Sequence, residues 1–255
     1  MKRILLAGAG VFAWVAAAQP AAAADLPRAP AYKAPVAAPM FDWSGFYVGA
    51  TAGYAWGRAT GTDLPASNGV CWAVCGTQWG PDVDGFTGGL QAGWNVQTQN
   101  WVFGIEGDVG YLGLKGIAPD PNAAPAMVET RGGWFATLRG RAGVLIAPTF
   151  LVYGTGGAIY ADTRTNVFRT IGNLDTSDAD PWGWTAGGGV ETRLGQDWSW
   201  KLEYLYYDLG NDRVGGPIGG AIQYFGIKQT GHIVRVGLNY HFATGKVPRP
   251  VVTKY

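Results

Sequence analysis

Nine charged residues carry the spacing that could do chemistry: Glu106 with Asp108, Arg139 with Arg141, Glu191 with Arg193, Lys201 with Glu203, and Arg235. Paired carboxylates can work as acid and base, whereas carboxylates facing arginines neutralise one another or line a selective ion path. Mutual neutralisation suits this set better than catalysis, because acids and bases are both present in the same spacing. No Ser, His and Asp set is assignable to a nucleophilic triad. Cys71 and Cys75 are the only cysteines, separated by three residues, and form a disulfide candidate in an exported chain. A metal site needs more ligands, and His232 and His241 are remote from the cysteines. The stretch "GTGGAIY" lacks the last glycine of the nucleotide-loop spacing and the helix that follows it. These residues point to no enzyme, no cofactor and no metal.

A spacing of two is the repeat of a β-strand, so each charged pair belongs to one strand face. In "FYVGATAGYAW", Phe46, Val48, Ala50, Ala52, Tyr54 and Trp56 share one face, opposite Tyr47, Gly49, Thr51, Gly53 and Ala55. The alternation returns in "FTGGLQAGWNVQ", "FGIEGDVGY", "WFATLRGRAGV", "WTAGGGVETRL", "WSWKLEYLYYDL" and "HIVRVGLNYHF", and less sharply in "FLVYGTGGAIY". The nine charges fall on the face opposite most of the aliphatic and aromatic residues of their strands. Eight strands result, an even number, with short links at 97–100, 147–149 and 195–197 and long ones at 57–84, 112–132, 161–181 and 210–229.

Charge placement decides what the apolar face meets. A soluble eight-stranded barrel keeps small apolar side chains inside and charges outside. Here the aromatic face is too bulky for such an interior, so the expected fold is all-β: an eight-stranded antiparallel transmembrane β-barrel. Trp56, Trp94, Trp101, Tyr111, Trp134, Tyr160, Trp184 and Trp200 fall near strand ends, where interfacial girdles lie. The lumen of so small a barrel is filled by side chains. Gly187 and Gly189 are accordingly expected to face inward and make space for Arg and Glu of adjacent strands, with Gly188 facing lipid.

Residues 1–24 have the basic start, apolar run and small-residue end of a signal peptide. Residues 25–40 read as a Pro/Ala-rich periplasmic linker, 41–242 as the barrel and 243–255 as a basic periplasmic tail. The formal net charge of +1 provides no overall attraction for nucleic acid. Acids concentrate in the long connections (Asp63, Asp82, Asp84, Asp120, Glu129, Asp162, Asp175, Asp178, Asp180, Asp208, Asp212), and bases in the tails (Arg28, Lys33, Lys246, Arg249, Lys254). Outer-membrane lipid, lipopolysaccharide with its divalent cations and, for the tails, peptidoglycan are the partners this distribution suits.

The stretches "WSGFYVGATAGYAWG", "FGIEGDVGY", "LRGRAGV", "WTAGGGVE", "KLEYLYYDLG" and "HIVRVGLNYHF" resemble the alphaproteobacterial Omp25/Omp31-type outer-membrane proteins, the porin family proteins, over 41–242. The resemblance implies an outer-membrane barrel like the membrane domain of OmpA, with both termini periplasmic and no enzyme activity. One departure is that such chains usually stop at the final aromatic, whereas Phe242 is followed by "ATGKVPRPVVTKY". The expected function is structural: supporting envelope integrity and displaying surface loops, as a monomer or weak oligomer. The alternative is a small porin passing ions or small solutes. A third reading, a soluble periplasmic binder, predicts extraction without detergent.

Overall fold

The computed structural model describes residues 42–71, 74–119, 127–168, 174–175, 182–218 and 221–242. The expected leader 1–24, linker 25–40 and tail 243–255, and the acids Asp120, Asp178 and Asp180, lie outside the described residues.

Eight long strands follow one another: β1 Gly45–Leu64, β2 Asp82–Thr98, β3 Trp101–Leu112, β4 Trp134–Ala147, β5 Phe150–Ala161, β6 Trp182–Leu194, β7 Trp198–Ile218 and β8 Ala221–His241. Each pairs antiparallel with its neighbour in sequence, and β8 returns to β1, from Tyr47↔His241 to Leu64↔Tyr224. The sheet is thereby closed, and no backbone edge is left to face lipid. Among the described residues no helix is long and apolar enough to cross a membrane.

Alternation sorts every strand into an outer and an inner row. Phe86, Leu90, Ile105, Leu138 and Val236 in the outer rows are each more than half exposed, a belt that is favourable only against an apolar solvent. Aromatic pairs bound this belt at both ends. Tyr111–Trp134, Tyr160–Trp182 and Trp184–Tyr206 lie toward the long connections, and Trp198–Tyr240 toward the short turns.

Two long connections differ from the expectation. β1 continues to Leu64, and 210–229 is the top of the β7–β8 hairpin, paired as far as Ile218↔Ala221. Beyond the apolar belt neither face must be apolar, so the alternation fades while backbone pairing continues. Asp63, Asp82, Asp84, Asp208 and Asp212 consequently belong to strands rather than loops. Short strands Lys115–Pro119, Met127–Arg131, Arg164–Phe168 and Leu174–Asp175 extend the wall further.

Candidate functional site: the filled lumen

The inner rows place different chemistry at different heights. Along β7 the inward residues read Ser199, Lys201, Glu203, Leu205, Tyr207 and Leu209, all buried. Along β3 they include Val102, Glu106, Asp108 and Leu112. Both strands, traced from the short-turn end, enter a charged layer and then an apolar one.

In the charged layer the carboxylates Glu106, Asp108, Glu191 and Glu203 face the cations Arg139, Arg141, Lys201 and Arg235, all eight buried. Glu106 accepts from Lys201 Nζ at 2.8 and 2.9 Å and from Arg139 Nη2 at 2.5 Å. Asp108 accepts from Arg139 Nη2 at 2.8 Å, Arg235 Nη1 at 3.1 Å and Thr137 Oγ1 at 2.6 Å. Glu203 accepts from Arg235 Nε at 2.8 Å, and Glu191 from Arg141 Nη2 at 2.7 Å. Four charges of each sign cancel, and shared hydrogen bonds offset the desolvation that makes an isolated buried charge costly.

Neutral groups absent from the sequence expectation complete the layer. Tyr47 Oη donates to Glu106 Oε2 at 2.7 Å and accepts from Arg141 Nη1 at 2.9 Å. Tyr153 Oη donates to Glu203 at 2.9 Å, while the Arg141 guanidinium lies 4.2 Å over the Tyr153 ring. Arg193 stands apart from the eight charges. Its guanidinium donates to the carbonyls of Gln196 and Asp42 and lies 4.7 Å over the Trp43 ring.

Ser199, His241 and Glu191 meet as well, with Ser199 Oγ 2.8 Å from His241 Nε2 and donating to Glu191 Oε1 at 2.5 Å. A nucleophilic relay needs its carboxylate on the ring nitrogen opposite the serine. Glu191 instead approaches the same Nε2, at 3.6 Å, and both Ser199 and Glu191 are completely buried.

The lumen is closed above and below this layer. At the short-turn mouth Trp43 is completely buried, its backbone N–H donating to Gln97 Oε1 at 2.8 Å and its indole N–H to the Pro148 carbonyl at 3.1 Å. Toward the long connections, Val83, Leu112, Phe135, Ile159, Leu205 and Ile233 fill the bore in one apolar cluster. Above them Trp79 packs on Phe225 and donates to the buried carboxylate of Asp63 at 3.1 Å.

Inward glycines leave space as anticipated in kind, but for different occupants. A side chain at Gly189 would begin 2.9 Å from Tyr153 Oη, so the phenol holds that space, and Gly187 stands in register with Leu205. The same pairing sets Tyr47 against Gly93, Arg139 against Gly157, Lys201 against Gly237 and Tyr207 against Gly231. Inward arginines, lysine and tyrosines can lie flat across a neighbouring strand because that strand presents only backbone. Gly188 belongs to the outer row.

Cys71 and Cys75 are joined in a disulfide beyond the end of β1. Among the described residues no group of His, Cys, Asp and Glu is arranged to hold a metal ion.

The model for the outer membrane protein beta-barrel domain matches residues 9–242. The chain is 36% identical over 220 residues to the 31 kDa outer-membrane immunogenic protein of Brucella melitensis, covering 82% of this chain and 88% of that one. It is 28% identical to the 25 kDa outer-membrane immunogenic protein of Brucella abortus, covering 95% and 99%. Among solved structures, the outer membrane protein OprG from Pseudomonas aeruginosa shares the fold, with a TM-score of 0.50 and 15% identity over 80% of this chain and all of that one.

Proposed function

This chain belongs to the outer membrane protein beta-barrel domain family, and from that premise we propose that its work in the outer membrane is structural rather than catalytic or conductive. The supporting observation is that every height of the lumen is occupied: Trp43, the neutral charged layer, the apolar cluster, and Trp79 with Phe225. A porin needs a continuous aqueous path, and a bore this small is consumed by side chains. The barrel thus supports envelope integrity and presents its long connections to the exterior, with both termini periplasmic. Lipopolysaccharide surrounds the outer half, the basic tails meet peptidoglycan, and the protein works as a monomer or weak oligomer.

Single-channel recording of refolded protein in a planar bilayer tests this role, with heat-modifiable gel migration showing that the sample is folded. Folded, silent protein is the expected result. Steady, reproducible current steps would instead favour a small porin and recast the charged layer as a selectivity lining.

A further inference from the structure

At the long-connection end of the outer wall, two cross-strand rows span β7, β8, β1 and β2. The upper row is Asp208, Thr230, Arg58 and Asp82 in register, and the row beneath it is Tyr206, His232, Trp56 and Asp84. Lys228 occupies the next outer position above Thr230 on β8. The central groups Lys228, Thr230, Arg58 and His232 can all donate hydrogen bonds, while the carboxylates stand at the flanks.

The flanks draw the long cations apart. Arg58 Nε reaches Asp82 Oδ1 at 2.8 Å on one side, and Lys228 Nζ reaches Asp208 Oδ2 at 3.2 Å on the other, with the half-buried Thr230 between them. Beneath Thr230 the wall is aromatic: Trp56 stacks on the His232 ring at 5.6 Å, Tyr206 lies 5.4 Å from that ring, and Tyr204 Oη meets His232 Nδ1 at 2.7 Å. The Arg58–Asp82 pair is open to solvent on both sides, at 65% and 76%, and an ion pair so open holds its partners weakly, whereas Lys228, itself 52% exposed, leans on a largely buried Asp208. A stronger anion can therefore take Arg58 from Asp82 and share the exposed end of Lys228.

We propose that this patch binds the phosphorylated sugar headgroup of an outer-leaflet glycolipid. Arg58 and Lys228 take phosphate oxygens, the arginine through its fork of N–H groups, and Thr230 adds a neutral donor. Trp56, Tyr204 and Tyr206 offer the sugar ring amphipathic faces at the height where a girdle meets headgroups. Asp82, 76% exposed, faces the divalent cations that accompany such phosphates. The site rests on the reading that the long connections face the exterior.

The test titrates full-length protein, refolded in detergent, with bisphosphorylated lipid A and with the same lipid stripped of both phosphates. Wild type should prefer the phosphorylated form by about tenfold or more, the scale of charge-assisted phosphate contacts. Arg58→Gln combined with Lys228→Gln should abolish that preference, and Arg164→Gln, at another exposed cation, should leave it intact. Inorganic phosphate should fail to displace the lipid; displacement at matched concentration would replace the glycolipid by a free anion and overturn the proposal. Equal affinity of wild type for both lipids, or a double variant that keeps the preference, would overturn it too. Heat-modifiable migration of the same samples reports on the outer-membrane barrel separately, so the site can fail while that reading stands.

Discussion

Glu106 shows how the lumen tolerates charge: two cations and a phenol donate to one carboxylate, and each cation also serves a second acid or lies close to one. Replacing Arg139 and Arg141 with Ala strips Glu191 of its arginine and leaves Glu106 and Asp108 to Lys201 and Arg235. The expected cost is about 2 to 5 kcal/mol in urea unfolding from lipid vesicles, the scale for breaking buried pairs from one side. Unchanged unfolding would mean that water reaches this layer. Arg193→Ala should cost less, about 0.5 to 2 kcal/mol, because it loses a contact to an aromatic face and bonds to carbonyls rather than a buried carboxylate. A loss as large as that of the double variant would contradict its separation from the network. The charged members were legible because a charge on the minor face of an aromatic strand stands out. Tyr47, Ser199 and His241 were not, since a tyrosine on either face of a strand looks alike and its partner Glu106 lies 59 positions away.

The strands show a second regularity, large inward side chains set against glycine. Gly93→Ala would drive a methyl group into the Tyr47 ring and set it 2.7 Å from the Ile105 carbonyl. Overpacking of this kind should cost about 1 to 3 kcal/mol in the same unfolding assay. Gly140→Ala is the control, since its Cβ would find only the Gly156 carbonyl, at 3.9 Å, and should be neutral or slightly stabilising. Equal losses at both positions would remove the packing explanation. The existence and phase of the eight strands could be read from alternation, because lipid on one side and a filled bore on the other impose period two. The upper reaches of β1, β7 and β8 could not, since there only backbone pairing holds the strand. The Cys71–Cys75 disulfide closes a short segment beyond those reaches. Replacing both cysteines with Ser should leave barrel unfolding unchanged while speeding protease cleavage between residues 65 and 80; a large loss of barrel stability would tie this loop to the core.

For the whole molecule, the consequence of layering is that no single truncation should open a path. The apolar layer was hidden from sequence reading because Leu112, Phe135 and Leu205 occupy the same alternating face as Asp108, Arg139 and Glu203. A period of two reports the face but not the height at which polarity changes. Trp43→Ala removes the side chain that closes the short-turn mouth and exposes the Arg193 end of the lumen to water. Ions that enter then meet a layer whose charges already cancel, followed by a mainly apolar plug in which the Tyr207 hydroxyl is too little to replace their hydration shells. The variant is therefore expected to fold, to migrate heat-modifiably and to remain silent in a planar bilayer. Current steps in Trp43→Ala but not in wild type would show that the charged and apolar layers pass ions and that Trp43 alone is the seal. The barrel would then be a porin held shut at its short-turn mouth by Trp43, the residue two positions before its first strand.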